Sequence, residues 1–338
     1  MSGKQLRCGP PVFPRVGKTG RKRSKHWKPK MKPKYKYLFG PVPSRRLGRS
    51  LGIDVTPFKT CSFDCTFCQC GCTAEYITGR RELVPFEEVC AEIERWLAEG
   101  GTADYITFAG SGEPTLYSRL GDLIDFIKAH TPVPVIVLSN GTLLYRADVR
   151  EEVTRADIVK VSLSAWDEHT FRKINRPAPG LTFEKLVAGE RALRAAFAGE
   201  LWLEVFLMEG VNAEREQVEA IAAIAKEIAP DKVHLNTAVR PPAEKTVRPV
   251  AAEDLAALCD CFTPPAEVIA SFDAAPAAAT GDLSVDGLLC LIHRHPATAA
   301  QLARTSGAGV DAVKAALAPL IEEGLLQIEE RNGDLYYK

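Results

Sequence analysis

The sequence predicts an α/β fold built on six parallel strands, followed by a small helical domain that closes with a β-hairpin. Three observations predict it. Apolar runs of strand length alternate with helix-period segments from Gly52 to Leu235. Each repeat of that kind brings the chain back parallel through a right-handed crossover. After residue 283 the pattern changes to three short amphipathic helices and an Asn332-Gly333 turn between β-like flanks.

The elements follow in order. The Pro/Gly-rich segment Phe39–Gly48 reads as an ordered loop, with Arg45 and Arg46 suited to a phosphate or carboxylate. Gly52–Thr56 is the first strand-like run. Phe86–Leu97 places Val89, Ile93, Trp96 and Leu97 at helical period. There follow strand Tyr105–Ala109, helix Leu120–Ala129, strand Val133–Leu138, helix Ala147–Arg155 and strand Asp157–Leu163. Helix Phe183–Phe197, strand Leu201–Leu207, helix Glu214–Ile228 and strand Lys232–Leu235 complete six βα units, and a helix over Ala251–Cys261 closes the core. Six units are too few for a closed eight-stranded barrel.

The domain expectation is a basic tail over 1–36, a core over 37–272, a linker over 273–282 and a small domain over 283–338. Residues 1–36 hold thirteen Lys or Arg and no acid, so the rest carries 30 basic against 43 acidic residues. A basic arm of this kind suits a nucleic-acid backbone, with Trp27 and Tyr35 available for stacking; a solvated tail or an early translation start, with Met31 as the alternative, fits the same residues. The charged content of 25% is ordinary for a globular protein, and no apolar run approaches the ~20 residues of a membrane span. With no signal peptide and ten cysteines, the expectation is a cytoplasmic protein whose cysteines are thiols or metal ligands.

The chemistry is concentrated in Lys59-Thr-Cys-Ser-Phe-Asp-Cys-Thr-Phe-Cys68, which sets Cys61, Cys65 and Cys68 at spacing C-x3-C-x2-C behind the first strand. Structural zinc takes four protein ligands, usually as two C-x2-C pairs, whereas three cysteines on one loop suit three irons of a 4Fe-4S cluster with one iron left open. Zinc remains the alternative at this point. The loop, with Phe67 before its last cysteine, resembles the signature of the radical S-adenosylmethionine (SAM) superfamily. The resemblance implies a partial (β/α)6 barrel, a 4Fe-4S cluster on Cys61, Cys65 and Cys68, SAM at the open iron, and Phe67 against its adenine.

Sites in parallel α/β folds form at the carboxyl ends of strands. After the second strand, Gly110-Ser-Gly-Glu113-Pro114 resembles the superfamily's Gly-Gly-Glu-Pro motif with a serine inserted, which implies that Gly110, Gly112, Glu113 and Pro114 surround the SAM ammonium. After the third, Ser139 and Asn140 stand where the superfamily often holds the SAM carboxylate or ribose. After the fourth, Ser162 and Ser164 are candidates for the ribose hydroxyls, and Lys160 lies within that strand. After the sixth, Asn236 and Arg240 are candidates for substrate contact, since an arginine fork suits an anionic group. Cys8, Cys70, Cys72, Cys90, Cys259, Cys261 and Cys290 read as ordinary thiols.

The last domain resembles a winged helix-turn-helix, yet from Leu283 onward it has five basic and seven acidic residues. Phosphate-dominated binding needs clustered cations, so DNA binding is not expected and a protein-contact or substrate-presenting role is. The opening segment resembles a subfamily grouped with the tRNA wyosine-synthesis enzymes; only Cys8 lies upstream of the core, so their second cluster is not implied. The resulting expectation is a SAM-cleaving enzyme that forms a 5′-deoxyadenosyl radical for hydrogen abstraction. Its electron donor would be a flavodoxin or ferredoxin, and its substrate an RNA, or a protein such as a glycyl-radical partner. A zinc-bearing regulator is the non-enzymatic alternative.

Overall fold

The computed structural model describes residues 34–44, 48–270, 285–331 and 333–338. Most of the basic tail, the arginine pair Arg45 and Arg46, the linker over 273–282 and Asn332 lie outside the described residues. The central sheet has eight strands rather than six. Its parallel body is β2 (Gly48–Ile53), β5 (Tyr105–Phe108), β6 (Val135–Leu138), β7 (Ile158–Ser162), β8 (Glu200–Leu207) and β9 (Lys232–Thr237), neighbours in chain order as the alternation predicts. Strand β1 (Leu38–Ser44) adds antiparallel to β2, and β10 (Glu267–Val268) adds parallel to β9. The two edges do not pair with each other, so the sheet is open.

Two of these strands correct the sequence reading. Phe39–Ser44 is strand rather than loop: its register with β2 slips between Phe39 and Val42, across the Gly40-Pro41 pair, which breaks the residue-by-residue alternation a strand normally displays. The aromatic ring of Phe39 lies directly on Gly52, where a Cβ would stand 2.0 Å from it, so only glycine fits. The short strands β3 (Thr60–Cys61) and β4 (Glu75–Tyr76) pair parallel and close the cysteine-rich loop at its base.

Helices α1 (Phe86–Ala98), α2 (Leu120–His130), α3 (Ala147–Val153), α5 (Phe183–Ala196) and α6 (Arg215–Ile228) cover one face of the sheet; α4 (Glu168–Ile174) precedes α5 and α7 (Ala252–Ala257) follows β9. Period-two alternation sends Val159, Val161, Leu201, Leu203, Val205, Leu207, Val233 and Leu235 into the core shared with the helices. Each such side chain contributes roughly 1.5–3 kcal/mol by leaving water. The alternate residues Lys160, Ser162, Glu204, Phe206, His234 and Asn236 therefore face the concave side. Helix α4 was not foreseen; it starts where Asp167 accepts a hydrogen bond from the Thr170 amide at 2.7 Å.

The last residues of the basic segment contact α1. Lys36 and Tyr37 donate their amides to Glu92 of α1 at 2.7 and 2.8 Å, the Tyr35 hydroxyl bonds Glu99, and Arg95 sits 4.7 Å over the Tyr35 ring. Tyr35 is thus held on α1 rather than presented for base stacking.

The C-terminal unit comprises α8 (Val285–Arg294), β11 (Ala297–Thr298), α9 (Ala299–Ser306), α10 (Val310–Glu322), β12 (Ile328–Arg331) and β13 (Asp334–Tyr337), with its sheet in the order β11-β13-β12. Thr298 and Gln301 form a capping box on α9, and Gly307 ends that helix at φ +75°. Its core of Leu288, Ile292, Leu302, Val313, Leu317 and Leu320 also takes in Phe39 of β1. On the opposite side, Arg331 donates to the Ala238 and Val247 carbonyls and the Tyr336 hydroxyl to the Val239 carbonyl at 3.1 Å. The unit therefore contacts the sheet at both its β1 and its β9 ends.

Candidate active site

The site is assembled where β2 gives way to the cysteine loop. Asp54 follows the strand, fully buried; one carboxylate oxygen accepts from the Thr56 amide and hydroxyl, the other from the Ser111 amide and hydroxyl at 3.2 and 3.0 Å. The chain then turns through Lys59, whose φ of +57° is left-handed, and pairs with the Gly110–Pro114 segment through Lys59 N to Ser111 O and Glu113 N to Thr60 O, both 3.1 Å. Gly112 is required by that approach, because a Cβ there would meet the Thr60 carbonyl at 2.1 Å.

Each of the three expected cluster thiols faces nitrogen donors. Lys59 Nζ lies 3.1 Å from Cys68 Sγ, Asn175 Nδ2 lies 3.5 Å from Cys65 Sγ, and Cys61 Sγ receives the Phe63 amide at 3.4 Å and Asn140 Nδ2 at 3.6 Å. Burial, with the Glu113 charge behind it, pushes the Cys61 thiol up to about 12, and burial pushes Cys65 well above the usual thiol range. Cys68 runs the other way, down to about 5, because the Cys70 thiol hydrogen-bonds it and Lys59 lies beside it. Burial alone would lower Lys59; the Cys68 sulfur overrides it and holds the ammonium at about 12.

The donor chemistry fits the cluster expected from the sequence. Three soft sulfurs on one loop, each with an N–H donor aimed at it, have the chemistry that an iron-sulfur cluster asks of its ligands and outer shell. Among the described residues, no group of three or more His, Cys, Asp or Glu is arranged to hold a single metal ion.

Glu113 and Ser139 lock the two neighbouring loops together. The Glu113 carboxylate accepts from Thr115 N and Oγ1, from Ser139 Oγ at 2.7 Å and from Asn140 N at 2.7 Å. Burial raises its pKa against the pull of those four donors. Asn140 in turn spans Cys61 Sγ and Ser62 Oγ with its amide nitrogen and accepts from Thr142 with its oxygen. Beneath this turn stands Glu190 of α5, fully buried and with neither carboxylate oxygen hydrogen-bonded among the described residues; its Oε1 would be 2.6 Å from a Cβ at Gly141. Burial pushes the Glu190 carboxyl well above its ordinary value.

Over β7–β9 the arrangement differs. Phe67 stacks on Phe206, ring centroids 4.1 Å apart and 12° from parallel, so one face of Phe67 is already covered. Ser162 ends β7 half-buried, whereas the Ser164 hydroxyl is buried and accepts the Phe206 amide at 3.1 Å, which ties the loop after β7 to β8. Asn236 donates to Glu204 Oε1 at 3.1 Å, and Glu204 is paired with Lys160, the two side chains 14% and 9% exposed. Arg240 is half-buried and donates to Gln69 Oε1 at 2.8 Å; desolvation of its guanidinium lowers its pKa to about 10, so it stays charged at neutral pH.

The structure thus gathers Cys61, Cys65, Cys68, Gly110, Gly112, Glu113, Pro114, Ser139 and Asn140 at one place; Arg240 reaches the same cysteine loop through Gln69, and Asn236 stands apart beside Glu204. Sequence reasoning missed Asp54, Lys59, Asn175 and Glu204. Asp54 and Glu204 had a signal, a lone charge at an inward position of an apolar strand. Asn175 had none, since it reaches Cys65 from the end of the unforeseen α4.

Fold and site together define a class. The model of the radical SAM superfamily matches residues 55–224, half of the chain, and the chain belongs to that superfamily, whose cofactors are a 4Fe-4S cluster and SAM. More particularly, it is similar to the UPF0026 proteins. It is 37% identical over 213 residues to UPF0026 protein MJ1312 of Methanocaldococcus jannaschii, covering 62% of this chain and 66% of that one. It is 35% identical over 266 residues to the UPF0026 protein of Helicobacter pylori strain J99, covering 78% and 85%. A protein of Brachyspira hyodysenteriae named "GTPase Obg" is 36% identical over 313 residues, 92% of this chain but 46% of that protein, so the chain spans less than half the length of this relative. Among the described residues no helix is long and apolar enough to cross a membrane.

Proposed function

We propose that the protein is a radical SAM enzyme in which Cys61, Cys65 and Cys68 hold a 4Fe-4S cluster and the loops after β5 and β6 hold SAM. The observation that carries this reading is the convergence of three thiols, each facing N–H donors, with the Gly110–Pro114 backbone hydrogen-bonded to the same loop. When bound, cluster and SAM supply the chemistry: one electron cleaves SAM to methionine and a 5′-deoxyadenosyl radical that abstracts a substrate hydrogen. The chain positions and tunes. Lys59, Asn140 and Asn175 donate to sulfur, which stabilises thiolate charge and raises the potential. Glu113, held by four donors, fixes the two SAM loops relative to each other, so its carboxylate acts chiefly as a brace. Phe67 and Ser162 are assigned to the adenosine side, and Asn236 with the Lys160–Glu204 pair to the substrate side.

A flavodoxin or ferredoxin is the proposed electron donor. Resemblance of the opening segment supports an RNA substrate, with tRNA the first class to test; the C-terminal unit has the element order of a winged helix, and its acidity favours contact with protein over DNA. The test is anaerobic reconstitution with measurement of iron, sulfide and the electron paramagnetic resonance of the reduced protein with and without SAM. About four irons per chain and a spectrum that changes when SAM is added support the reading; one zinc per chain and no paramagnetic signal oppose it.

A further inference from the structure

We propose that Arg294, from the C-terminal unit, is a positioning residue for SAM: it acts through Asp54 on the Gly110–Gly112 backbone, so the C-terminal unit completes the cofactor site in cis. The inference rests on the reading of Gly110–Pro114 as a SAM loop. Arg294 is the last residue of α8, and its Nε donates to Asp54 Oδ2 at 2.9 Å with the side chains 13% and 3% exposed. That same oxygen accepts from the Ser111 amide and hydroxyl. Gly110 rests on the carboxylate, since a Cβ there would meet Asp54 Cγ at 2.2 Å. One carboxylate thus joins a residue of the C-terminal unit to the backbone of the loop.

Neighbouring contacts fix α8 at this point. Cys70 Sγ lies 3.2 Å from the Arg294 carbonyl oxygen, and His295 shares a hydrogen bond with Gln69 at 2.7 Å. The Arg294 guanidinium also sits 5.1 Å over the Phe39 ring. The Arg294 charge has a chemical consequence. A buried carboxylate beside a site for an ammonium group would draw that ammonium to itself; paired with a guanidinium, it is neutralised and its oxygen stays directed at Ser111. The core presents the SAM loop in its binding shape only while α8 is docked.

The test uses the full-length reconstituted protein and SAM as the probe. Arg294→Ala is expected to take up iron and sulfide as the wild type does, yet to bind SAM about tenfold or more weakly, in keeping with the cost of a misplaced binding group. Without SAM, hydrogen exchange at Gly110–Gly112 and alkylation of Cys70 should both rise. Arg294→Lys, which keeps the charge and guards against a misfolded variant, should recover part of the affinity. Tyr336→Phe, which loosens the unit at its other edge, should leave SAM affinity unchanged. Equal SAM affinity and equal exchange in wild type and Arg294→Ala would overturn the inference and leave the SAM site standing. Wild-type protein that holds the cluster but binds no SAM would overturn the reading of the site, and the inference with it.

Discussion

The two halves of the barrel mouth hold their polar groups in opposite ways. Over β2, β5 and β6, Asp54, Glu113 and Asn140 bond mostly to backbone amides and hydroxyls a few residues or one loop away. Over β7, β8 and β9, Lys160, Glu204 and Asn236 bond to one another, each supplied by a different strand. The first arrangement fixes backbone; the second fixes side chains, and three substitutions could rebuild it. On the proposed function, cofactor recognition belongs to the first half and substrate recognition to the second.

The sharpest way to break the contrast is to remove one charge from the second half. Lys160→Met removes the cation paired with the largely enclosed Glu204 and is expected to cost about 3 kcal/mol in urea unfolding. Adding Glu204→Leu should restore most of that loss, because an apolar pair replaces an ion pair of similar volume. Failure of the double variant to recover would mean that the pair carries the fold and is not a replaceable specificity element. In the first half, Glu113→Gln keeps shape but exchanges an acceptor for a donor facing the Asn140 amide or Ser139. A loss of roughly 1–3 kcal/mol is expected, with increased exchange at Ser139–Thr142.

Smaller effects sharpen the account of the outer shell. Asn175→Ala should change stability by about 1 kcal/mol or less, yet shift the cluster potential to more negative values, because one N–H donor to sulfur is lost. Redox titration followed by absorbance would read it, and an unchanged potential would remove Asn175 from the site. Glu190 gives a pH signature. Its folded pKa lies above the unfolded value of 4.5, so the native state keeps a proton that the unfolded state releases, and stability falls as pH rises above about 4.5. Replacement by Met should therefore stabilise the protein more at pH 8 than at pH 5, as measured by thermal unfolding at the two values.

The same contrast explains what was legible in the sequence. The six parallel strands follow from apolar runs alternating with helical periods, and the cysteine, Gly-Ser-Gly-Glu-Pro and Ser-Asn-Gly segments are local, so their chemistry can be read in a few consecutive letters. Strand β1 was hidden by its glycine and prolines, and β10, at two residues, carries no period at all. Glu204, Asn175 and Arg294 act across 44, 110 and 240 residues of chain respectively, and no local pattern marks such pairings. Phe67 and Ser164 show the converse: their positions were noted, but their partners, the Phe206 ring and amide, came from a strand that pattern alone could not orient.

The most direct test of the central claim is to reduce the anaerobically reconstituted protein with dithionite in the presence of SAM and to quantify 5′-deoxyadenosine. Formation of 5′-deoxyadenosine and methionine in equal amounts by the wild type, and its loss in Cys65→Ala, is the predicted result. A wild-type protein that carries its full complement of iron and sulfide and leaves SAM intact would contradict the account.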